Sequence, residues 1–204
     1  MARVIDKEEK RCEIARASID LFCEKGIQQT SIDEIAKSAG VAKGTVYLYF
    51  KNKEEIIFAI WNMIVEQHMI GFQQRVDSFK GSKEKIIGFF DFAKSCNVFA
   101  SQKILHLYQH FVSAMLIDKT GQYTSYFESF FQRDYDFISS CLKEGVDSGE
   151  FEPHDIHLLT NTIVFFMKGT LIKSKASNWP FEEAQVILMQ QLSFLIDNFT
   201  RKIK

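Results

Sequence analysis

Apolar residues recur at intervals of three and four along nearly the whole chain, and turn-forming residues stand where this pattern stops. Such spacing places apolar side chains on one face of a helix, so the pattern predicts an all-α protein of about nine helices. The predicted elements are a first helix that ends at Gly26, a second from Ser31 to Gly40, a third over 42–50, a fourth from Asn52 towards Phe79, and five more at about 83–98, 101–117, 122–147, 154–175 and 181–200.

The second and third predicted helices are short and nearly adjacent. Ser31 and Glu34 have the spacing of a capping box, which begins a helix. Only Gly40 and Val41 separate this helix from the next one. In the third helix Val46 and Phe50 are four residues apart and form an inward pair, which leaves the other positions for outer faces. Two short helices joined by a glycine turn predict a helix-turn-helix.

A longer pattern surrounds this motif. It comprises Ile14, Leu21-Phe22, Gly26, Thr30-Ser31, Ile35-Ala36, Ala39-Gly40-Val41 and the run KGTVYLYFKNKE over 43–54. In these residues the chain resembles the tetracycline-repressor (TetR) family of bacterial transcription regulators. The resemblance implies a DNA-binding domain at residues 1–50 and a ligand-binding and dimerisation domain at residues 51–204. It also implies a homodimer that binds a palindromic operator and a small-molecule effector.

Local chemistry independently favours DNA binding at the motif. The second helix of a helix-turn-helix enters the major groove, so its first side chains are small or polar. Hydroxyl and lysine groups at helix starts can contact phosphates. The predicted DNA-binding residues are Thr30, Ser31, Ala42, Lys43, Gly44, Thr45, Tyr47, Tyr49 and Lys53. The resemblance implies phosphate contacts at Tyr47, Tyr49 and Lys53, and Tyr49 is included on that ground alone, at a position where the family frequently has His. The ring of Tyr47 or Tyr49 could instead pack against the first helix.

The aromatic content indicates a wide interior beyond the motif. The chain has 204 residues, of which 20 are Phe, and most of these rings follow residue 70. Such rings with a few polar groups suit an apolar ligand pocket, although any single ring can equally be core. The residues predicted to line it are Phe89, Phe92, Cys96, Phe99, Tyr108, Phe127, Phe131, Asn161 and Phe165. We expect a largely apolar effector, and the basic residues Lys94, Lys103 and Lys168 leave open an amphipathic ligand with one anionic end.

The last two predicted helices each carry a stripe that we expect at the dimer interface. The stripes are Ile156, Leu159, Ile163, Phe166 and Thr170 in one, and Ala184, Ile187, Gln191, Phe194, Leu195 and Asn198 in the other. Two such helices from each subunit can close a four-helix bundle.

The net charge, the spacing of the cysteines and the lengths of the apolar runs limit the kinds of protein that this chain can be. The formal net charge is -1, and residues 1–53 carry only a slight positive excess. The four cysteines have no disulfide or zinc-finger spacing, and the chain opens with charged residues. No apolar run approaches the roughly 18 residues of a membrane span. We therefore expect a cytoplasmic protein without membrane insertion.

A few residues have the spacing or the chemistry for metal binding, oxidant sensing or acid-base catalysis. His106 with His110, and His154 with His157, have helical spacing for a metal pair, but no further ligand accompanies them. Cys96 or Cys141 could sense oxidants if exposed as a thiolate. Asp134 and Asp136 lie on different helix faces, and no nucleophile-base set or phosphate loop is visible.

We therefore expect no enzyme activity, no cofactor and no metal. The main hypothesis is a DNA-binding repressor that its effector releases from the operator. The alternative is a small-molecule binding or enzyme-like helical protein that has no specific DNA binding.

Overall fold

A computed structural model describes residues 7–95 and 101–200, and these residues form eleven α-helices. The helices are α1 (Lys7–Ala17), α2 (Ile19–Gln29), α3 (Ile32–Ser38), α4 (Lys43–Tyr49), α5 (Lys53–Gln73), α6 (Ser82–Phe89), α7 (Phe92–Ser95), α8 (Ser101–Leu116), α9 (Gln122–Asp147), α10 (Ile156–Ala176) and α11 (Phe181–Asp197). A single 3₁₀ turn, Val76–Ser78, and an isolated β-bridge between Phe151 and Thr200 complete the regular structure of these ranges. The predicted all-α class is confirmed.

Two predicted helices are each divided in the structure. The first is interrupted at Ser18, where the backbone N–H donates to the Ala15 carbonyl at 3.1 Å and the hydroxyl donates to the Ile14 carbonyl at 2.8 Å; α1 and α2 are separate elements. The helix predicted over 83–98 ends at Phe89 and resumes at Phe92. These two interruptions raise the number of helices from the predicted nine to the eleven of the described residues. The periodic pattern of apolar residues can continue across a bend, whose position only tertiary packing fixes.

The chain divides into two compact units. The first comprises residues 1–66 and 102–126, and the second comprises residues 67–101 and 127–204. In the first unit α1 contacts α2, α3 and α4, and α3 also contacts α4. Its interior holds fully buried apolar side chains from each of these helices and the residue after α4, which include Ile14, Phe22, Ile35, Val46 and Phe50. Burial of these side chains fixes the short α3 and α4, which would not be stable as isolated helices.

In the second unit α11 contacts α6, α7 and α10. The core of this unit is rich in aromatic and aliphatic residues, among them Phe72, Phe89, Phe90, Ile138, Leu142, Phe151, Ile163, Leu188 and Ile196. None of the helices in the described ranges has the length and apolar character needed to cross a membrane.

The two stripes predicted for dimerisation lie partly inside this unit. Leu159, Ile163 and Thr170 of α10 are buried, and so is Ala184 of α11. The large apolar side chains that α10 and α11 expose are Phe194, which belongs to the predicted stripe, and four residues outside the stripes, Leu158, Phe165, Ile172 and Val186. Both helices are apolar on more than one side, and spacing alone does not tell which side packs within the subunit. The predicted stripes were therefore wrong at these four buried positions, and an interface at their other positions stays a prediction.

Candidate nucleic-acid interface and effector region

The start of α3 is fixed by the capping box that the sequence predicted. The backbone N–H of Glu34 donates to the Ser31 hydroxyl at 3.3 Å, and the Ser31 N–H donates to the Glu34 carboxylate at 2.9 Å. Lys25 also pairs with Glu34, and the hydrogen bond from Lys25 is the main cause that lowers the pKa of Glu34 to about 2. The turn that follows contains Gly40 with a φ of +65°. This left-handed conformation favours glycine.

Helix α4 presents a polar outer face above a buried inner one. Val46 and Phe50 are buried, as the spacing predicted, and the Arg11 guanidinium lies 5.0 Å from the centre of the Phe50 ring. On the opposite side the exposed residues are Ala42, Lys43, Gly44, Tyr47 and Leu48. A Cβ atom added to Gly44 would meet nothing within 4 Å. The backbone there is open to a partner.

Two lysines near this face are already engaged in the first unit. Lys43 Nζ lies 2.8 Å from the Asp33 carboxylate, and this hydrogen bond raises the pKa of Lys43. Lys53 Nζ donates to the carbonyl oxygens of Gln28 at 2.7 Å and Thr30 at 3.4 Å, at the end of α2. Lys43 is exposed, so its ammonium can exchange Asp33 for a phosphate, whereas Lys53 holds the connection between α2 and α3.

The remaining predicted DNA contacts differ in exposure. Ser31 is exposed, while Thr45 and Tyr49 are half-buried. Thr30 is buried, and its hydroxyl donates to the Gly26 carbonyl at 2.8 Å, so this side chain supports the fold and does not reach the surface. Tyr49 lines a shallow groove together with Arg11 and Phe58.

Sequence reasoning missed Leu48, which is 74% exposed on the same face of α4. The sequence does indicate this position, because Leu48 stands four residues after Gly44 and residues four apart lie on the same face of a helix. An apolar side chain on a helix that enters the major groove can contact a thymine methyl group. Leu48 therefore joins the outer face as a candidate for base recognition.

The residues predicted to line one effector pocket are divided in the structure. Cys96 and Phe99 lie outside the described residues. Tyr108 belongs to the first unit, where its ring packs edge-on to Trp61 at 6.2 Å. Phe165 is 66% exposed and lines an open groove with Trp179 and Ile187, because its neighbours Val164 and Met167 take the inward positions of α10.

Phe89 and Phe92 lie in an aromatic cluster of the second unit. Phe89 stacks on Phe137 at 4.3 Å, and Phe92 stacks on His68 at the same distance. His68 was not selected from the sequence, where it stands alone in the apolar run WNMIVEQHMIGF of α5. A lone histidine in such a run gave no signal, because its lack of partners is a property of the tertiary structure.

Phe127 and Phe131 form a second cluster of the same unit, around Lys168. The Lys168 ammonium lies 2.8 Å from the Phe131 centroid and 5.9 Å from that of Phe127. Burial lowers the pKa of Lys168 to about 8 and raises the pKa of the buried Asp134 to about 7. The Asn161 side chain lies 3.1 Å from His157 Nε2, within hydrogen-bond distance.

The structure shows the surroundings of a cysteine considered as an oxidant sensor and of two histidines considered as metal ligands. Burial raises the pKa of Cys141 to about 12, so its thiol stays protonated and is a poor oxidant sensor. His110 contacts the Cys23 carbonyl at 3.3 Å, and His157 contacts the Tyr135 hydroxyl at 2.5 Å. Among the residues with described positions, no three His, Cys, Asp or Glu side chains are grouped as metal ligands would be.

Comparison with known proteins supports the interpretation of the N-terminal motif. Residues 14–60 match the family model for bacterial regulatory proteins of the tetR family. The fatty acid metabolism regulator protein of Bacillus subtilis (strain 168) is 36% identical over 80 residues, which cover 39% of this chain and 41% of that protein. The HTH-type transcriptional regulator AcrR of Shigella flexneri is 28% identical over 190 residues, or 89% of this chain and 84% of that protein.

The fold agrees with a solved structure over nearly the whole chain. A TetR transcription regulator from Haloarcula marismortui ATCC 43049 superposes with a TM-score of 0.80 and 15% identity. The match covers 95% of this chain and 100% of that one.

Proposed function

We propose that the chain is a homodimeric repressor of the tetR family of bacterial regulatory proteins, whose operator affinity falls when an apolar effector binds. The observation that carries this proposal is the outer face of α4, where small and polar residues surround an open backbone position. The operator is a segment of genomic DNA, so the proposed place of action is the cytoplasm.

The DNA-binding part of the proposal corresponds to residues 1–50. Helix α4 enters the major groove, Lys43 and Tyr47 contact phosphates, and Thr45 and Leu48 reach base edges. Two copies of α4 in a symmetric dimer then meet half-sites about 34–36 Å apart, which makes the operator palindromic. Ser31 at the start of α3 adds a hydroxyl donor for the phosphate backbone.

The dimer forms through the exposed apolar face of α10 and α11. Phe165 and Phe194 are large rings on this face, and contiguous exposed apolar surface marks interaction sites. Phe166, Trp179 and Ile187 line the groove beside Phe165 and provide space for a side chain of the second copy. The remaining residues, 51–204, supply this interface and the effector site.

The effector is a small and largely apolar molecule that binds in the aromatic part of the second unit. One relative carries fatty acid metabolism in its name, and the Phe-rich interior here suits a hydrocarbon chain. The effector favours dimers whose recognition helices no longer match successive major grooves. A coupling free energy of about 1 to 3 kcal/mol is typical of such a population shift.

A search for the operator tests the proposal against the alternative of a helical ligand-binding or enzyme-like protein. Fragments of the source genome are selected on the purified dimer and the bound site is mapped by footprinting. The proposal requires a palindromic site that binds much more tightly than unrelated DNA. A chain that binds every fragment equally weakly belongs to the alternative class.

The Lys43→Ala variant then tests the assignment of α4. We expect weaker operator binding and a log–log salt dependence whose slope is smaller by about one, because one phosphate contact is lost. The Asp33→Asn variant should tighten binding, since it frees the Lys43 ammonium. Lys143→Ala, an exposed change on α9, is the matched control and should leave both quantities unchanged. Wild-type salt dependence in Lys43→Ala would exclude this contact.

A further inference from the structure

His68 is a buried side chain without a side-chain hydrogen bond among the residues that the structure describes. It is 4% exposed, and neither of its ring nitrogens has a hydrogen-bond partner in the described part of the chain. Most buried polar groups in proteins are hydrogen-bonded, and an unsatisfied one lowers the stability of the fold. Such a group requires a reason to be retained.

The surroundings of His68 are aromatic. Its ring stacks on Phe92 at 4.3 Å and meets Phe89 edge-on at 5.4 Å. Phe72 and Phe137 pack on Phe89 in turn, at 5.6 and 4.3 Å. The imidazole is therefore a polar group at the edge of an apolar cluster. Apolar walls with a few polar groups that orient the ligand are characteristic of small-molecule sites.

The cations near His68 already have other contacts. Arg75 and Lys94 both contact the Asp91 carboxylate, at 3.8 and 3.1 Å. Arg75 also donates to the backbone carbonyls of Gly71 and Gly88, both at 3.3 Å. Arg75 and Lys94 thus share one carboxylate, and Arg133, which also lowers the pKa of His68, has its guanidinium 5.2 Å from the centre of the Phe130 ring.

The imidazole itself is neutral at physiological pH. Burial is the largest cause that lowers the pKa of His68, to about 4. The backbone of Phe89 opposes this shift in part, although it lacks the geometry of a hydrogen bond to either nitrogen. A neutral imidazole offers one N–H donor and one nitrogen acceptor. The donor suits a carbonyl oxygen or a hydroxyl, and the acceptor suits a hydroxyl, so a hydroxyl can hydrogen-bond either nitrogen.

We infer that His68 hydrogen-bonds the uncharged hydroxyl or carbonyl end of the effector, whose hydrocarbon part packs among Phe89, Phe92 and Phe137. This inference rests on the proposed function, because it assigns the class of effector that the regulator senses. The effector is then an apolar alcohol or ketone and not a carboxylate or an ammonium compound. Its polar end supplies the hydrogen-bond partner that His68 lacks within the described ranges.

Three probes with the same ten-carbon chain test this class. Binding of 1-decanol, decanoate and decyltrimethylammonium to the full-length dimer is measured by titration calorimetry. We expect 1-decanol to bind about 10-fold more tightly than either charged probe, which corresponds to one good hydrogen bond gained without the burial of an unpaired charge. Equal affinities, tighter binding of a charged probe, or no binding of 1-decanol would overturn the inference.

Two variants test whether the preference for 1-decanol depends on His68. His68→Phe keeps an aromatic ring of similar size and removes both nitrogens, so 1-decanol should bind about 10-fold more weakly. The unliganded variant should melt at a higher temperature than the wild type, because an unsatisfied buried polar group is gone. His68→Gln retains a neutral donor and acceptor and should keep the preference for 1-decanol. A purely structural histidine would instead give a lower melting temperature in His68→Phe and unchanged 1-decanol affinity.

Operator binding is a separate arm of this experiment. His68→Phe should bind the operator with wild-type affinity but should no longer release it when 1-decanol is added. A wild-type protein without operator binding contradicts the proposed function. A wild-type protein that binds the operator, together with a His68→Phe variant that still releases it with 1-decanol, contradicts only the assignment of His68.

Discussion

At the scale of single residues, burial decides what each ionisable group can do. Lys43 is exposed and has a raised pKa because Asp33 stabilises its charge. Lys168 has the same side chain, but its ammonium lies against aromatic rings and burial lowers its pKa to about 8. Asp134 is buried nearby, and its pKa rises to about 7. The surface lysine suits a phosphate contact, whereas the desolvated Asp134 carboxylate reduces stability at neutral pH.

Asp134→Asn should stabilise the protein more at high pH than at low pH. The folded state holds the Asp134 proton more tightly than the unfolded chain does, so stability is lost as the pH rises from about 4 to about 7. Asparagine removes this loss. We expect the gain in the free energy of unfolding to be roughly 2 to 4 kcal/mol larger at pH 8 than at pH 4.

Urea unfolding at both pH values measures this difference. Asp136→Asn is the matched control, because Asp136 is exposed two residues further along α9. The control should change stability little at either pH. The burial argument is wrong if Asp134→Asn has the same effect at pH 4 and pH 8.

At the scale of elements, two glycines have different explanations: the fold explains one, and binding to DNA explains the other. Gly26 has a φ of +76°, and a Cβ atom there would lie 2.9 Å from the His110 ring, so the first unit requires glycine at this position. Gly44 lies within α4 and has open space around it. A glycine inside a helix lowers its stability relative to alanine. The fold gives no reason for glycine at position 44, but a close approach to DNA does.

Gly44→Ala should therefore stabilise the protein and weaken operator binding. We expect a gain of about 0.5 kcal/mol in the free energy of unfolding. Operator affinity should fall by about 10-fold or more, because the added methyl group keeps the helix backbone away from the groove. Thermal unfolding and fluorescence anisotropy measure the two effects.

Ser113→Ala provides the comparison for Gly44→Ala. Ser113 is exposed on α8, and alanine there should also raise helix stability slightly. Its operator affinity should remain that of the wild type. Unchanged operator affinity in Gly44→Ala would remove Gly44 from the interface.

At the scale of the whole molecule, the exposed apolar face of α10 and α11 requires a partner. Phe194 is 75% exposed and Phe165 is 66% exposed, although both helices have a well-packed inner face. In a homodimer the same patch on two copies is self-complementary. Dimerisation would also make the two half-site contacts part of one binding event, which raises affinity without new contacts.

Phe194→Glu should convert the dimer to a folded monomer. The ring does not belong to the buried core, so helicity should be unchanged while two carboxylates oppose each other across the interface. Operator affinity should fall by about 100-fold or more with the loss of bivalent binding. Sedimentation velocity at micromolar concentration and anisotropy measure these changes.

Leu116→Glu is the matched control for the dimer. Leu116 is 76% exposed in the first unit and lies outside α10 and α11. This variant should remain a dimer with wild-type operator affinity. A Phe194→Glu protein that still sediments as a dimer would require a different interface.

Local pattern alone determined the helical class, most helix limits, the capping box at Ser31 and the inward pair of Val46 and Phe50. These features depend on residues within a few positions of one another, and the sequence contains that information directly. The resemblance over residues 14–55 likewise depends on contiguous motifs, so the order of the residues is enough to recognise the family.

Tertiary structure decided what depends on residues distant in sequence. It buried Thr30, engaged Lys53 with the end of α2, placed Tyr108 and Phe89 in different units, and turned Phe165 outward. It also placed the His68 ring among aromatic rings, with no hydrogen-bond partner in residues 7–95 and 101–200, which no local pattern indicates. The physical reason is that periodicity defines the apolar sides of a helix, whereas burial and the pairing of polar groups depend on which other helices cover those sides.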